Sequence, residues 1–394
     1  MWPSGFPAVV VPVLALFSAS SATLLLATSY AGTLTTLNLT LTGTRGSLQT
    51  LTTSTECGTQ PSWLTLAGGV LYCVDESFGK KNGTLASFTV SDDGTLALLQ
   101  KVGTITGPVN TVVYGNAGRG LAVAEYSGAG LNTFNVANPR EIAPVQADTF
   151  VLPHPGVNPA RQESPHPHQA TLDPTGRFLL VPDLGSDLIR IFALDLTNLG
   201  YTAVAPLVVA PGSGPRHAAF LVSRNQVFLY VISELANTIT GYKVSYYAAG
   251  LGFSQFYISS THGEGQPPPA SGASAGEITL SPDSKFLTIS SRGESTLSIP
   301  NFDATNSTEL PSDPLVTFSI DKETGVLTHL QTFAAGGLIP RHFSFNKAGT
   351  LVAVALQGSS RVVIISRDLG TGLFIDYVAT ADIAGEVNNI IFNE

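Results

Sequence analysis

Short β-rich runs of four residues recur along this chain, at residues 24–27, 71–74, 121–124, 178–181, 228–231, 286–289 and 351–354. A second segment follows each run after a brief polar loop, at 33–37, 84–88, 130–134, 187–191, 237–242, 295–299 and 361–365. These segments alternate apolar and polar positions, the period of a half-buried strand. Turn chemistry precedes several of the runs, as in Asp173-Pro174-Thr175-Gly176 and Ser281-Pro282-Asp283-Ser284. The unit repeats every 45 to 65 residues or so, the length of a four-stranded propeller blade.

Seven copies predict an all-β, seven-bladed β-propeller spanning residues 23–394 as one domain. Almost nothing precedes the first run that could supply its innermost strand, whereas a spare apolar strand lies at 387–392. The two ends are therefore expected to share one blade, closing the ring and removing free sheet edges. Two irregular insertions interrupt the pattern, at 153–165 and at 261–276 with Pro267-Pro268-Pro269. Both fall where one blade crosses to the next innermost strand, on the face where loops shape a binding site.

Composition narrows the partners. Charged residues make up 12% of the 394 and the net charge is −9, with no basic cluster, which argues against nucleic acid. Residues 8–17 form an apolar run too short to span a bilayer, and small residues follow at 18–22. Residues 1–22 thus read as a secretory leader. Acceptor triplets at Asn38, Asn82 and Asn306 suit a secreted glycoprotein. The only cysteines, Cys57 and Cys73, could close one disulfide or remain two buried thiols.

In a propeller the innermost strands all start at the same mouth of the central channel. Here those starts read Gly107-Pro108-Val109-Asn110, Pro165-His166-Pro167-His168, Gly214-Pro215-Arg216-His217, Gly276-Glu277, Pro340-Arg341-His342 and Glu386-Val387. Four of the seven histidines fall in these segments. A second set, with Glu76, Glu125, Tyr126, Asp183, Glu234 and Arg292, lies in the loops between the paired segments. His168 and Glu234 are the expected proton carriers. Arg216, Arg292, His217, Arg341 and His342 are the expected substrate contacts, since guanidinium forks hold carboxylates and oxyanions. No nucleophile elbow is present. His166-Pro167-His168 lacks a third ligand at metal spacing, so neither metal nor other cofactor is expected.

These segments resemble the lactonase-type seven-bladed propellers, which include bacterial 6-phosphogluconolactonases and fungal 3-carboxy-cis,cis-muconate cyclases. The resemblance lies in residues 165–170, 173–177, 212–217, 231–235 and 340–343, and extends from about residue 23 to the C-terminus. It implies opening or closure of a small carboxylated lactone by a histidine, two arginines and a glutamate, carried here by His168, Arg216, Arg292 and Glu234. The alternative is a secreted, non-catalytic propeller that uses the same face for a glycan or protein ligand.

Overall fold

The computed structural model describes residues 22–248 and 250–394. The expected leader lies outside them except for Ala22, which opens the first strand. Among the described residues are seven four-stranded antiparallel sheets and one two-stranded ribbon. The sheets are the blades of a propeller, numbered here one to seven in chain order. In the first, the C-terminal strand Val387–Phe392 lies innermost against Ala22–Ser29, with Ala27 opposite Ile390. The chain ends do close the ring.

The central run of each blade is buried because it is covered on both faces by neighbouring blades. Seven apolar clusters result, one at each blade interface. The cluster sealing the first blade to the seventh joins Leu25, Leu37 and Leu39 with Val362, Ile364, Ile390 and Phe392. Each such side chain contributes roughly 1.5–3 kcal/mol relative to exposure. The turn at Asp173 shows the local logic: its carboxylate accepts the amides of Thr175, Arg177 and Phe178, and Gly176 takes the left-handed φ of 68°.

One strand assignment is corrected. Residues 295–299 do not pair with the central run of the sixth blade. Leu297–Pro300 pairs instead with Glu309–Ser312 as a separate ribbon, and Pro314–Ile320 takes the blade position beside Phe286–Arg292. Pro314–Ile320 buries Leu315, Val316 and Phe318 completely, whereas the ribbon strand ends in a proline that cannot donate to a ladder. Asp313 pins both ends of the excursion, accepting the amides of Gly293, Glu294, Ser295 and Ile339.

Cys57 and Cys73 form a disulfide, with Cα atoms 6.0 Å apart. Asn82 and Asn306 stand exposed in loops. Asn38 sits half-buried within Thr33–Thr42, its Nδ2 bonded to Thr40.

Candidate active site at the channel mouth

The innermost strands enter the channel through a repeated device. Register slips by one residue between Pro61 and Trp63, Pro108 and Asn110, Pro215 and His217, and Pro340 and His342. A bulge of this kind re-aims one side chain out of the ladder. The bulged residues are Ser62, Val109, Arg216 and Arg341. In the fourth blade an isolated bridge from Pro167 to Asp183 leaves His168 at the same place after its proline. The proline-led starts therefore deliver His168, Arg216 and Arg341 to one level. The following residues, among them Trp63, His217 and His342, lie one level deeper.

A cavity of about 280 Å³ opens at the upper level, lined by His168, Glu234, Arg292, Arg341, Arg161, Tyr126, Tyr30 and Glu76. Glu234 is its organising anion. Its carboxylate lies 2.6 Å from Arg161, 2.9 Å from Arg292 and 3.0 Å from Arg216. Burial opposes its charge, but Arg292, Arg216 and Arg161 together outweigh this and hold the carboxyl at about 2. Such a group is a fixed anion rather than one that trades protons near neutral pH, the role expected of it from sequence.

Arg216 does not line the cavity. It lies fully buried against Glu234, donating to the carbonyl of Gly276 at 2.7 Å, with Nε off the hydrogen-bond axis to Glu234. Burial, then Arg292, lowers its guanidinium to about 9, partly offset by Glu234. Arg292 donates to the carbonyl of Ala275 at 2.8 Å as well as reaching Glu234. Arg341 lies 3.7 Å from Glu76 and over the ring of Tyr30, and Tyr30 donates to the same Glu76 oxygen. Burial raises the Glu76 carboxyl, with Arg341 acting against it.

His168 is 6% exposed, and its Nδ1 meets Nε2 of His217 at 3.1 Å. Burial pushes the imidazole well below its usual range, and Arg216, His217, Arg341 and Arg292 add to the effect. His168 is therefore neutral at physiological pH. His217 and His342, expected as substrate contacts, lie below the cavity and are both packed edge-on to Trp63. His166 buttresses the loop, stacked on Tyr126 with ring centroids 4.2 Å apart and bonded to Glu163.

Sequence reasoning missed Arg161. It is the only Lys or Arg of the 153–165 insertion, and a lone cation in a proline-rich loop above the mouth was the available signal. The loop is fastened by the fully buried Gln162, which donates to the Leu184 carbonyl at 3.0 Å. Glu386 contacts Gln357 and Glu277 contacts His217, neither of them an arginine of the site. Among the described residues, no group of three His, Cys, Asp or Glu side chains is placed to hold a metal ion.

Comparison with known proteins assigns the fold to a family. The family described as "Lactonase, 7-bladed beta-propeller" matches residues 25–389. An Arthroderma benhamiae protein named "Probable 6-phosphogluconolactonase" is 32% identical over 79% of this chain and 75% of its own length. The Formosa agariphila 6-phosphogluconolactonase is 31% identical over 77% and 80% respectively. The structure of the periplasmic gluconolactonase of Pseudomonas aeruginosa superposes with a TM-score of 0.77 at 25% identity, covering 94% of this chain and 99% of that one.

Proposed function

The chain belongs to the seven-bladed lactonase β-propeller family, and from that premise we propose that it hydrolyses a small carboxylated lactone at the channel mouth. The observation that carries this reading is the neutral imidazole of His168 in a cavity whose wall presents the guanidinium groups of Arg161, Arg292 and Arg341. The protein is acidic overall, so the attraction for an anion is local to this rim. A cavity of about 280 Å³ admits a single small ring rather than a polymer.

In the proposed reaction His168 accepts a proton from water as the hydroxyl adds to the lactone carbonyl carbon. The resulting oxyanion lies against a guanidinium, another guanidinium holds the substrate carboxylate, and Glu234 keeps these arginines in place. Collapse breaks the ring acyl C–O bond, and His168 returns its proton to the departing alkoxide.

The relatives bearing a 6-phosphogluconolactonase name point to a sugar lactone. The Cys57–Cys73 bridge and the leader read at residues 1–22 favour an oxidising, extracytoplasmic setting, where phosphorylated sugars are scarce. The test is a pH-stat assay, corrected for spontaneous hydrolysis, on a muconolactone, glucono-δ-lactone and 6-phosphogluconolactone. The expected result is turnover favouring the carboxylated ring and lost in His168→Ala and Arg292→Ala. Absence of turnover on all three, or unchanged rates in both variants, would overturn it.

A further inference from the structure

Beneath the cavity floor a second set of groups extends the site downward. His217 is fully buried, and its two ring nitrogens meet different partners: Nε2 faces Nδ1 of His168 at 3.1 Å, and Nδ1 faces Oε1 of Glu277 at 2.8 Å. Glu277 comes from the sixth blade, His217 from the fifth and His168 from the fourth, so the line runs across three blades. The Glu277 carboxylate also accepts the Ile278 amide at 3.0 Å, and its Oε2 lies 3.9 Å from Nε2 of His342. Burial opposes the Glu277 charge, while the hydrogen bond from His217 and the nearby Arg216 guanidinium favour it. Oε2 is buried without a hydrogen bond.

This connectivity fixes the tautomers. An ionised carboxylate only accepts, so Nδ1 of His217 carries the proton in that bond. Burial, with Arg216 and Arg341 adding to it and Glu277 opposing, lowers the His217 imidazole, so its Nε2 is a lone pair. That lone pair accepts from Nδ1–H of His168. Nε2 of His168 is left unprotonated, and among the described residues no hydrogen bond occupies it.

We propose that His217 and Glu277 are positioning residues that present the Nε2 lone pair of His168 to the cavity and take up the positive charge formed there during turnover. The inference rests on the lactonase reading. His168 works beside Arg216, Arg292 and Arg341, which disfavour a lasting imidazolium. Once Nε2 has gained a proton from water, the Nδ1–H bond of His168 breaks and the proton forms a new bond to Nε2 of His217. The charge then sits on His217, where direct contact with Glu277 opposes the repulsion of Arg216 and Arg341. The reverse transfer restores His168 as its Nε2 proton passes to the leaving alkoxide. A carboxylate that orients an imidazole and stabilises its cation has a known precedent in hydrolase triads; here a second imidazole lies between them.

Two measurements test this. In the wild-type protein at pH 7, ¹⁵N NMR of labelled histidines is expected to show both His168 and His217 as Nδ1–H tautomers. An Nε2–H signal at His168 would overturn the assignment, whatever the substrate proves to be. In Glu277→Gln, kcat is expected to fall by about 10²-fold or more, with KM changed less than about threefold. The acidic limb of its kcat–pH profile should also move. His217→Gln should reproduce the loss if Glu277→Gln folds poorly. A kcat within about threefold of wild type in either folded variant would refute the role. A wild type inert toward every lactone sinks the lactonase reading instead and leaves the tautomer measurement decisive.

Discussion

Replacing Glu234 by Gln removes one negative charge and almost no volume from a site where that charge faces three guanidinium groups. Glu234 and Arg216 are 4% and 2% exposed, so little solvent screening intervenes for this pair. The carboxyl is held at about 2 against an ordinary 4.5. A shift of that size corresponds to about 3 kcal/mol of folding stability at pH 7. Removing one member of a buried ion pair costs a similar amount, about 3–5 kcal/mol. Because the folded-state pKa is depressed, the contribution is complete above about pH 4.5 and lost as pH falls through about 2. Wild type and Glu234→Gln should therefore differ by about 3 kcal/mol at pH 7 and converge as the carboxyl protonates. Urea unfolding followed by Trp63 fluorescence, repeated at several pH values on both proteins, measures the gap directly. In a chain of this size the corresponding loss in Tm is about 4 °C. A gap unchanged between pH 7 and pH 3, or below about 1 kcal/mol at pH 7, would refute the claim that Glu234 is the anion holding these arginines.

Other expectations follow from the same structure. Deleting residues 387–394 strips the first blade of its innermost strand and exposes the surface that buried Val387, Ile390 and Phe392. The loss is roughly 5–8 kcal/mol, comparable to the whole stability of a domain, so the truncated protein should aggregate or elute as unfolded on size-exclusion chromatography. Cys73→Ser opens a bridge between residues 16 apart in sequence and should cost about 3 kcal/mol, read as a Tm loss matching that of reduced wild type. Because burial and then the neighbouring arginines pull His168 down, the acidic limb of kcat/KM should lie below the usual imidazole range. A limb at or above pH 6.5 would contradict a neutral, buried base. Arg161→Ala should raise KM for a carboxylated lactone more than it lowers kcat, since the group sits at the cavity edge with 39% of its side chain exposed; steady-state kinetics separate the two.

What the sequence determined alone was the repeat and its closure. The runs at 71–74 and 228–231 are continuous because both faces of a central blade strand are covered, and that constraint is local enough to be written in four residues. The proline-led starts were legible for the same reason: Pro167-His168, Pro215-Arg216 and Pro340-Arg341 each record a strand entering the channel. At the sixth blade the local signal misled, because Leu297–Pro300 alternates like a strand while Pro314–Ile320 offers more buried surface. The chemistry of the site was decided by tertiary structure. Arg161 reaches Glu234 from a loop 73 residues away, and Glu277 reaches His217 across a blade boundary 60 residues apart. Contacts of that kind leave no periodicity in a sequence, since ring closure creates them and not the strands themselves. Glu234 shows the difference most plainly. Its presence beside the mouth could be read from the chain, but its charge state is set by three arginines from three separate segments, and these meet only in the folded ring.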